Sequence, residues 1–390
     1  MKFQDFKDKK VAFFVAETIP SFAGGGLNAF NFARFLVNQG AQAQILCLNY
    51  NNVLLKKQVV DKVQILRIAY YNLNILTKIV SLFGLVCSYI KLIKTNDILF
   101  IYGRYLPAYI IIILTGRIYK KNVIFRSSLL NDDDIIAIKK YSGIFWPLYK
   151  FAFRQISMYY AINKKFDEKW REIFSDTIPV LCTIQGVDTS VFSSTENKLN
   201  SLKKRNKVFS ILSCGILIER KAYRYTFEAL SHLEIDFKYT VIGQHLPDKY
   251  HRSSVSETCE MKSLYRLGNK LLGNKIEFIN TVFNIKDYYT NADLFLHLAE
   301  EEGTPNVLLE AMAMGLPIIT RPFEGLSDII RQGENIEVLF PGKDLCNLIN
   351  KLYNDPDYAN NLGSMASSTI KKEFTFFHVA RKITEKLDIE

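Results

Sequence analysis

Short apolar runs separated by helical stretches recur through this chain, and the series starts twice. In the first half the runs are Val11–Ala16, Ala43–Leu48, Gln64–Ile68, Ile98–Tyr102, Val123–Phe125 and Met158–Ala161. In the second half they are Phe209–Cys214, Lys238–Ile242, Ile276–Phe278, Leu294–Leu298 and Pro317–Thr320. Near-continuous apolar strands alternating with helices predict parallel sheets covered on both faces. A polar stretch, Ser193–Lys207, separates the two series. The pattern therefore predicts an α/β chain of two tandem, Rossmann-like, doubly wound parallel-sheet domains. They would cover residues 1–192 and 208–374, joined by a linker over 193–207. A terminal helix over 375–390 is a candidate to pack back on the first domain. Such sheets bind ligands at the carboxyl ends of their strands, so two facing domains would create one cleft. No repeat of solenoid length is visible.

With 390 residues, two such domains can each bury a sizeable core. Hydrophobic residues at 48% and charged residues at 23% exclude a disordered chain. The longest apolar runs, Ile79–Ile90 and Leu106–Gly116, fall well short of the roughly 20 residues of a membrane span. Glu17 cuts off the run Val11–Ala16 with no small-residue cleavage site after it, so no signal peptide is read. The expected location is the cytoplasm. Six cysteines are scattered without a CxxC pair, which predicts buried free thiols rather than a zinc knuckle or a disulfide framework.

The charge is lopsided. Residues 1–190 hold 25 Lys and Arg against 13 Asp and Glu, and residues 191–390 hold 25 against 26. The first half thus carries the whole excess of a chain with formal net charge +11. Such a half attracts phosphates, anionic lipid or nucleic acid, and the plain alternative is a Lys-rich solvated surface.

Strand Val11–Ala16 is followed by a loop and then by Gly24, Gly25 and Gly26, with a helix expected from about Leu27 to a stop at Gly40. A Gly-rich turn at a helix start lets a ligand approach backbone N–H groups. The spacing is not GxGxxG and the loop is too long, which argues against a dinucleotide site. A flexible loop and a mobile anion- or sugar-contacting loop both remain open.

The most informative stretch is LFLHLAEEEGTPNVLLEAMAMGLPIIT, Leu294–Thr320. It reads as strand, turn, helix and strand. Thr304 suits an N-cap, Pro305 a first helical residue, and Gly315 a helix stop. Glu302 falls in the turn and Glu310 in the helix, with the N–H groups around Asn306 and Val307 between them. Those donors and the helix dipole suit a phosphate, and carboxylates on either side can accept hydrogen bonds from sugar hydroxyls. The arrangement fits a nucleotide sugar. The plain alternative is a solvated acidic turn followed by a surface helix.

The run Glu302-Gly303-Thr304-Pro305-Asn306-Val307-Leu308-Leu309-Glu310-Ala311-Met312-Ala313, followed by Gly315-Leu316-Pro317, resembles the signature of retaining glycosyltransferases of family 4, with the GT-B fold. By that resemblance Glu302 contacts the donor sugar and Glu310 the ribose, with Gly303, Thr304, Pro305, Asn306 and Val307 around the nucleotide. Weaker likenesses are Gly186-Val187-Asp188 with Phe192, Gly24–Gly26 before Phe32–Leu36, and Gly325–Ile330, where Glu324 stands in place of the family's paired Gly.

Strand Phe209–Cys214 runs into Gly215-Ile216-Leu217-Ile218-Glu219-Arg220-Lys221-Ala222. The family pattern there is Gly-Arg-Leu, then Lys-Gly. Lys221 matches the Lys, while Ile216 replaces the Arg and Ala222 the Gly. Arg220 is a candidate to supply the second charge. Many relatives also carry a His after the strand matching Val123–Phe125. This chain has Arg126-Ser127-Ser128 and then Asp132-Asp133-Asp134, whose role is left open between phosphate or acceptor contact, helix capping and cation binding. His297, just before the motif, reads as a packed core residue.

The resemblance, taken with these residues, implies a retaining, hexosyltransferase-type enzyme using a UDP- or GDP-sugar as donor substrate, with no cofactor and no metal. Lys221, Arg220 and Glu302 are the expected catalytic residues, and Lys221 and Arg220 would stabilise charge on the leaving diphosphate. Glu310, Gly303–Val307 and Gly24–Gly26 are the expected binding residues. A glycan or lipid-linked acceptor, as in cell-surface polysaccharide or glycoconjugate synthesis, is expected on the first domain. Its segment Ile144–Phe153 reads either as a core helix or as a surface helix meeting anionic lipid at the inner face of the cell membrane. The rival readings are an inactive relative that binds sugar nucleotides or glycans, a sugar-nucleotide epimerase, and a nucleic-acid binder. No recognised motif supports the last, so no nucleic-acid partner is expected.

Overall fold

The computed structural model describes residues 6–20, 24–49, 54–69, 86–103, 108–193, 208–245, 255–282, 284–323, 325 and 329–387. The chain divides into two units, Met1–Gln185 with Phe376–Glu390, and Gly186–Thr375. The expected linker, beyond Ser193, lies outside the described residues, as do residues 21–23 of the loop before Gly24, and Glu324 and residues 326–328 of the Gly325–Ile330 stretch.

The first unit holds an eight-stranded sheet in the order β3-β4-β2-β1-β5-β6-β7-β8. Its strands are β1 (Lys10–Phe14), β2 (Gln42–Asn49), β3 (Lys57–Val60), β4 (Val63–Ala69), β5 (Ile98–Tyr102), β6 (Asn122–Arg126), β7 (Met158–Ala161) and β8 (Val180–Cys182). The central strands are buried along their whole length, as in β5, which is why they read as unbroken apolar runs. The helices are α1 (Gly24–Asn38), α2 (86–95), α3 (Ala108–Ile118), α4 (Ile135–Ser142), α5 (Trp146–Phe153) and α6 (Lys164–Phe174). The Trp170 indole lies flat on Tyr159 with ring centroids 3.9 Å apart, and Phe153 meets its ring edge-on at 5.8 Å. Aromatic packing of this kind adds about 0.5–1.5 kcal/mol per pair beyond area burial. The last helix of the chain, Phe376–Leu387, groups with this unit. Its Phe376 ring lies 5.2 Å from Phe32 and 5.7 Å from Phe35 of α1.

The second unit is a six-stranded, all-parallel sheet in the order β11-β10-β9-β12-β13-β14. Its strands are β9 (Phe209–Cys214), β10 (Phe237–Ile242), β11 (Ile276–Ile279), β12 (Leu294–His297), β13 (Ile318–Thr320) and β14 (Glu337–Val338). The helices are α7 (Tyr223–Ser231), α8 (Val255–Leu272), α9 (Lys286–Asn291), α10 (Asn306–Ala313), α11 (Leu345–Asn354) and α12 (Pro356–Glu373); Phe376–Leu387 is then α13.

All eleven strands expected from the apolar runs are present. Three others, β3, β8 and β14, were not anticipated, because they are short edge strands or short additions with little apolar pattern. Among the described strands β3 is also the one antiparallel strand, a hairpin partner of β4 whose side chains alternate between exposed and half-buried. The cysteines are all free, but Cys87, Cys182 and Cys259 are exposed, so the expectation of buried thiols is corrected for these three. No helix among the described residues is long and apolar enough to cross a membrane.

Candidate functional site

β9 and β12 are neighbours in the second sheet although β10 and β11 lie between them in sequence. The chain winds outward from β9 in one direction and returns to start again on the other side. The carboxyl ends of two such strands diverge, and ligands of doubly wound sheets bind in that opening.

After β9 the chain passes Gly215 and makes a one-turn 3-10 helix, Glu219–Lys221. After β12 it enters the acidic turn. The two segments are tied together. Glu300 N–H donates to the Arg220 carbonyl at 3.0 Å, and Arg220 Nη1 donates to the Glu301 carbonyl at 3.0 Å. Arg220 Nη1 also lies 3.4 Å from Glu302 Oε1, and Lys221 Nζ donates to that same oxygen. Burial acts to raise the Glu302 pKa, but the Lys221 charge and hydrogen bond, with the Arg220 charge, outweigh it. The carboxyl is held below its ordinary value. Glu300 turns away to Arg321 at 3.2 Å.

The helix α10 begins one residue later than its sequence suggested. Pro305, with ψ of 120°, is the N-cap residue, so Thr304 precedes the cap and Asn306 is the first helical residue. Proline offers no side-chain acceptor, so the N-cap residue itself does not cap this end. The early N–H groups of a helix lack carbonyl partners within it and carry the positive end of its dipole. Gly303, Thr304 and Pro305 are buried, and Asn306 and Val307 are half-buried. Gly325 packs on this turn so closely that a Cβ there would sit 1.5 Å from the Gly303 carbonyl oxygen, so only glycine fits.

Glu310 is buried rather than on an exposed helix face. The Tyr289 hydroxyl of α9 donates to its Oε2 at 3.0 Å and lies 3.2 Å from the Val307 carbonyl. Tyr289 was not singled out from the sequence. It sits in the short polar run KDYYTN of α9, and only the fold brings it under α10. A buried carboxylate oriented by a phenol, in the helix that follows the Glu302 turn, is a poor solvated residue and a good acceptor for hydroxyl groups.

His297 lies between Phe295 and Phe323, with ring centroids at 6.5 Å and 5.9 Å. Burial, then the neighbouring Lys221 charge, pushes its pKa down to about 3, so it stays neutral.

In the first unit, helix α1 starts at Gly24, three residues before the expected Leu27, so the glycines form its first turn. Gly26 is dictated by packing, since a Cβ there would sit 1.9 Å from the Glu17 carbonyl oxygen. Gly24 has open space around it, and a Cβ at Gly25 would lie 3.2 Å from Ser128 Oγ. Arg126, at the end of β6, is buried. It donates from Nη1 to Asn28 Oδ1 at 2.6 Å and from Nη2 to Gln185 Oε1, and its guanidinium lies 4.5 Å from the Tyr102 ring centroid. It is a pin between α1, β6 and the end of the unit. Asp134 caps α4 through the N–H groups of Ile136 and Ala137 and pairs with Lys169 at 2.7 Å. Asp133 Oδ1 accepts from Ser128 N–H at 2.7 Å and Leu129 N–H at 2.8 Å. Burial raises its pKa to about 7.

Residues 194–369 match the family model "Glycosyl transferases group 1", the group to which the Glu302–Glu310 motif pointed. An uncharacterized glycosyltransferase of Haemophilus influenzae is 27% identical over 172 residues, 42% of this chain and 43% of that protein. The capsular polysaccharide biosynthesis glycosyltransferase CapM of Staphylococcus aureus is 29% identical over 90 residues, 23% of this chain and 24% of that protein. The match thus spans less than half the length of these relatives. Among solved structures, Anabaena HepE in complex with UDP and glucose superposes with a TM-score of 0.73 at 17% identity, covering 97% of this chain and 99% of that one. The fold is therefore GT-B, two tandem Rossmann-like units.

Proposed function

We propose that this chain is a glycosyltransferase that moves a hexose-type sugar, with retention at the anomeric carbon, from a UDP- or GDP-sugar to a hydroxyl of a glycan or lipid-linked acceptor. The observation that carries this reading is the convergence of Lys221 and Arg220 on Glu302 beside the start of α10. At the diphosphate position two cations meet one carboxylate, and the start of α10 adds the positive end of its dipole. That balance suits a diphosphate, whose negative charge grows as the sugar–phosphate bond breaks. Lys221 and Arg220 neutralise the departing diphosphate, so the reading assigns this work to the chain and not to a metal ion. Glu302 holds both cations in place and accepts from the donor sugar. Glu310, oriented by Tyr289, accepts from the ribose. Gly303–Val307 line the nucleotide, and Gly24 and Gly25 lie at the ligand-binding edge of the first sheet. Attack by the acceptor hydroxyl comes from the face the diphosphate leaves.

The relatives support a role in cell-surface polysaccharide or glycoconjugate synthesis, since CapM is a capsular polysaccharide enzyme. HepE, solved with UDP and glucose, favours a uridine donor. The reading puts the enzyme in the cytoplasm, at the inner face of the membrane where lipid-linked acceptors are held. The test is a thermal-shift screen against nucleotide sugars, followed by product analysis with membrane extract and chelator. The expected result is stabilisation by one donor, an axial or equatorial product linkage matching that donor, and no loss of rate with chelator. A chain that no nucleotide sugar stabilises, and that neither transfers nor hydrolyses any, would refute it.

A further inference from the structure

From residue 62 to residue 166 the only acidic side chains are Asp97 and Asp132–Asp134. Asp133 and Asp134 are buried, Asp97 is engaged by the Lys10 N–H at 3.0 Å and by Lys121 at 3.9 Å, and Asp132 is exposed before the start of α4, at the other end of that helix from Gly143. The helices α2 to α5 therefore carry no acid at all. They form one neighbourhood: α3 packs on α5, α5 on α4, and the Lys94 ammonium of α2 lies 5.3 Å from the Tyr119 ring just past α3.

At the α4–α5 corner this neighbourhood shows apolar side chains to water. Gly143, with φ of 51°, ends α4, a 3-10 turn follows over Gly143–Phe145, and Pro147 helps start α5. The turn leaves Ile144 89% exposed and Phe145 60% exposed. On α5, Tyr149, Ala152 and Phe153 face the core, while Leu148 and Phe151 are exposed. A surface helix ordinarily turns polar residues outward. At the end of α3, its last residue Ile118 is 74% exposed between Arg117 and Lys120. Lys139, Lys140 and Arg154 are exposed around the corner.

We infer that this α4–α5 corner, with the end of α3, docks on an anionic lipid bilayer. The charge pattern selects that occupant. The buried centre of a protein interface is depleted in Lys, and opposed charges would have to be matched one by one. A bilayer asks only for apolar side chains at acyl depth and cations at headgroup level, reached by long stems. The inference uses other residues than the Lys221–Glu302 site and does not depend on sugar transfer.

Trp146, half-buried beside Phe145, and Trp170, sealed in the core, are the two tryptophans of the chain. The full chain is mixed with vesicles of phosphatidylcholine alone or with phosphatidylglycerol, some carrying brominated acyl chains. Binding to the anionic vesicles is expected to be at least roughly tenfold stronger, with bromine quenching confined to Trp146. Lys139→Glu with Lys140→Glu removes most of the binding at low salt. Ile144→Ser with Phe145→Ser and Phe151→Ser removes the fraction that survives high salt and the quenching, with an unchanged circular-dichroism melt confirming the fold. Wild type that ignores anionic vesicles, or variants that bind like wild type, overturn the inference. So does sedimentation showing that these apolar residues close a dimer while vesicles stay unbound. Vesicle binding is read without donor or acceptor, so its failure leaves the proposed activity standing, and the reverse.

Discussion

The Lys221 ammonium is hydrogen-bonded to Glu302 Oε1 across 81 residues of chain, and this contact joins the carboxyl ends of β9 and β12. Each partner is nearly enclosed, with about an eighth of its side chain exposed. Lys221→Ala is expected to lower turnover by on the order of a hundredfold, because the charge acts chiefly as the diphosphate departs. Arg220→Ala, at a more exposed position, should cost about tenfold. Steady-state kinetics decide between them. A rise in the Michaelis constant alone would make Lys221 a binding residue, and a larger loss at Arg220 would reverse their order.

Tyr289 and Glu310 allow a graded test of the donor pocket. Glu310→Ala should weaken donor binding by roughly 1–3 kcal/mol through lost hydrogen bonds to hydroxyls. Tyr289→Phe keeps the ring and removes only the hydroxyl that orients Glu310 Oε2. It should cost less, about 0.5–1.5 kcal/mol. Calorimetry with the nucleotide alone reads both, and equal affinities across wild type and both variants would remove Glu310 from the ribose contact.

Ala222 has φ of 56° and ψ of 31°, the left-handed region, where the resembling family has glycine. A Cβ in that region costs roughly 1–2 kcal/mol, partly offset by the greater freedom of glycine in the unfolded chain. Ala222→Gly should therefore stabilise the fold by about 0.5–1 kcal/mol in a denaturant titration. It should also leave Lys221, its neighbour, in place.

The expected strands were legible because burial on both faces of a parallel sheet leaves almost no polar residue in them, as in Ile98–Tyr102. β3 escaped notice because KQVV lies at an edge and alternates, and β14 because two residues carry no period. Glu302 and Glu310 were legible because both belong to one local motif. Tyr289 was not, since it reaches Glu310 only through tertiary packing. The role of Arg126 was open in the sequence, because only tertiary packing brings Asn28, Gln185 and the Tyr102 face to its guanidinium, whose buried Nε is left without a hydrogen-bond partner among the described residues. The start of α10 was off by one because Thr and Pro each suit positions on either side of the cap, and only ψ at Pro305 distinguishes them.

Asp133 supplies a pH dependence whose sign follows from its burial. Desolvation raises its pKa from 3.8 to about 7, against the pull of the Leu129 and Ser128 N–H groups. The Asp132 charge adds to the rise and the Arg126 charge opposes it. Below about pH 4 the carboxyl is protonated in both the native and the unfolded chain, so the stability linked to it is fully present. Between about pH 4 and 7 the unfolded chain releases a proton that the native chain keeps, and stability falls as pH rises. Above about pH 7 both forms are ionised and the loss is complete, amounting at most to about 4 kcal/mol. Glu302 works in the opposite sense, because its pKa is lowered, and favours the native chain once pH exceeds the ordinary carboxylate range. The two are separated by Asp133→Asn, which keeps an oxygen for the N–H groups of Ser128 and Leu129 and cannot ionise. Denaturant unfolding followed from pH 4 to 8 should show the wild type losing stability relative to Asp133→Asn over this range, with the gap opening chiefly below pH 7. Parallel curves for the two proteins would mean that Asp133 titrates near its unfolded value and that its carboxylate is solvated in the native chain.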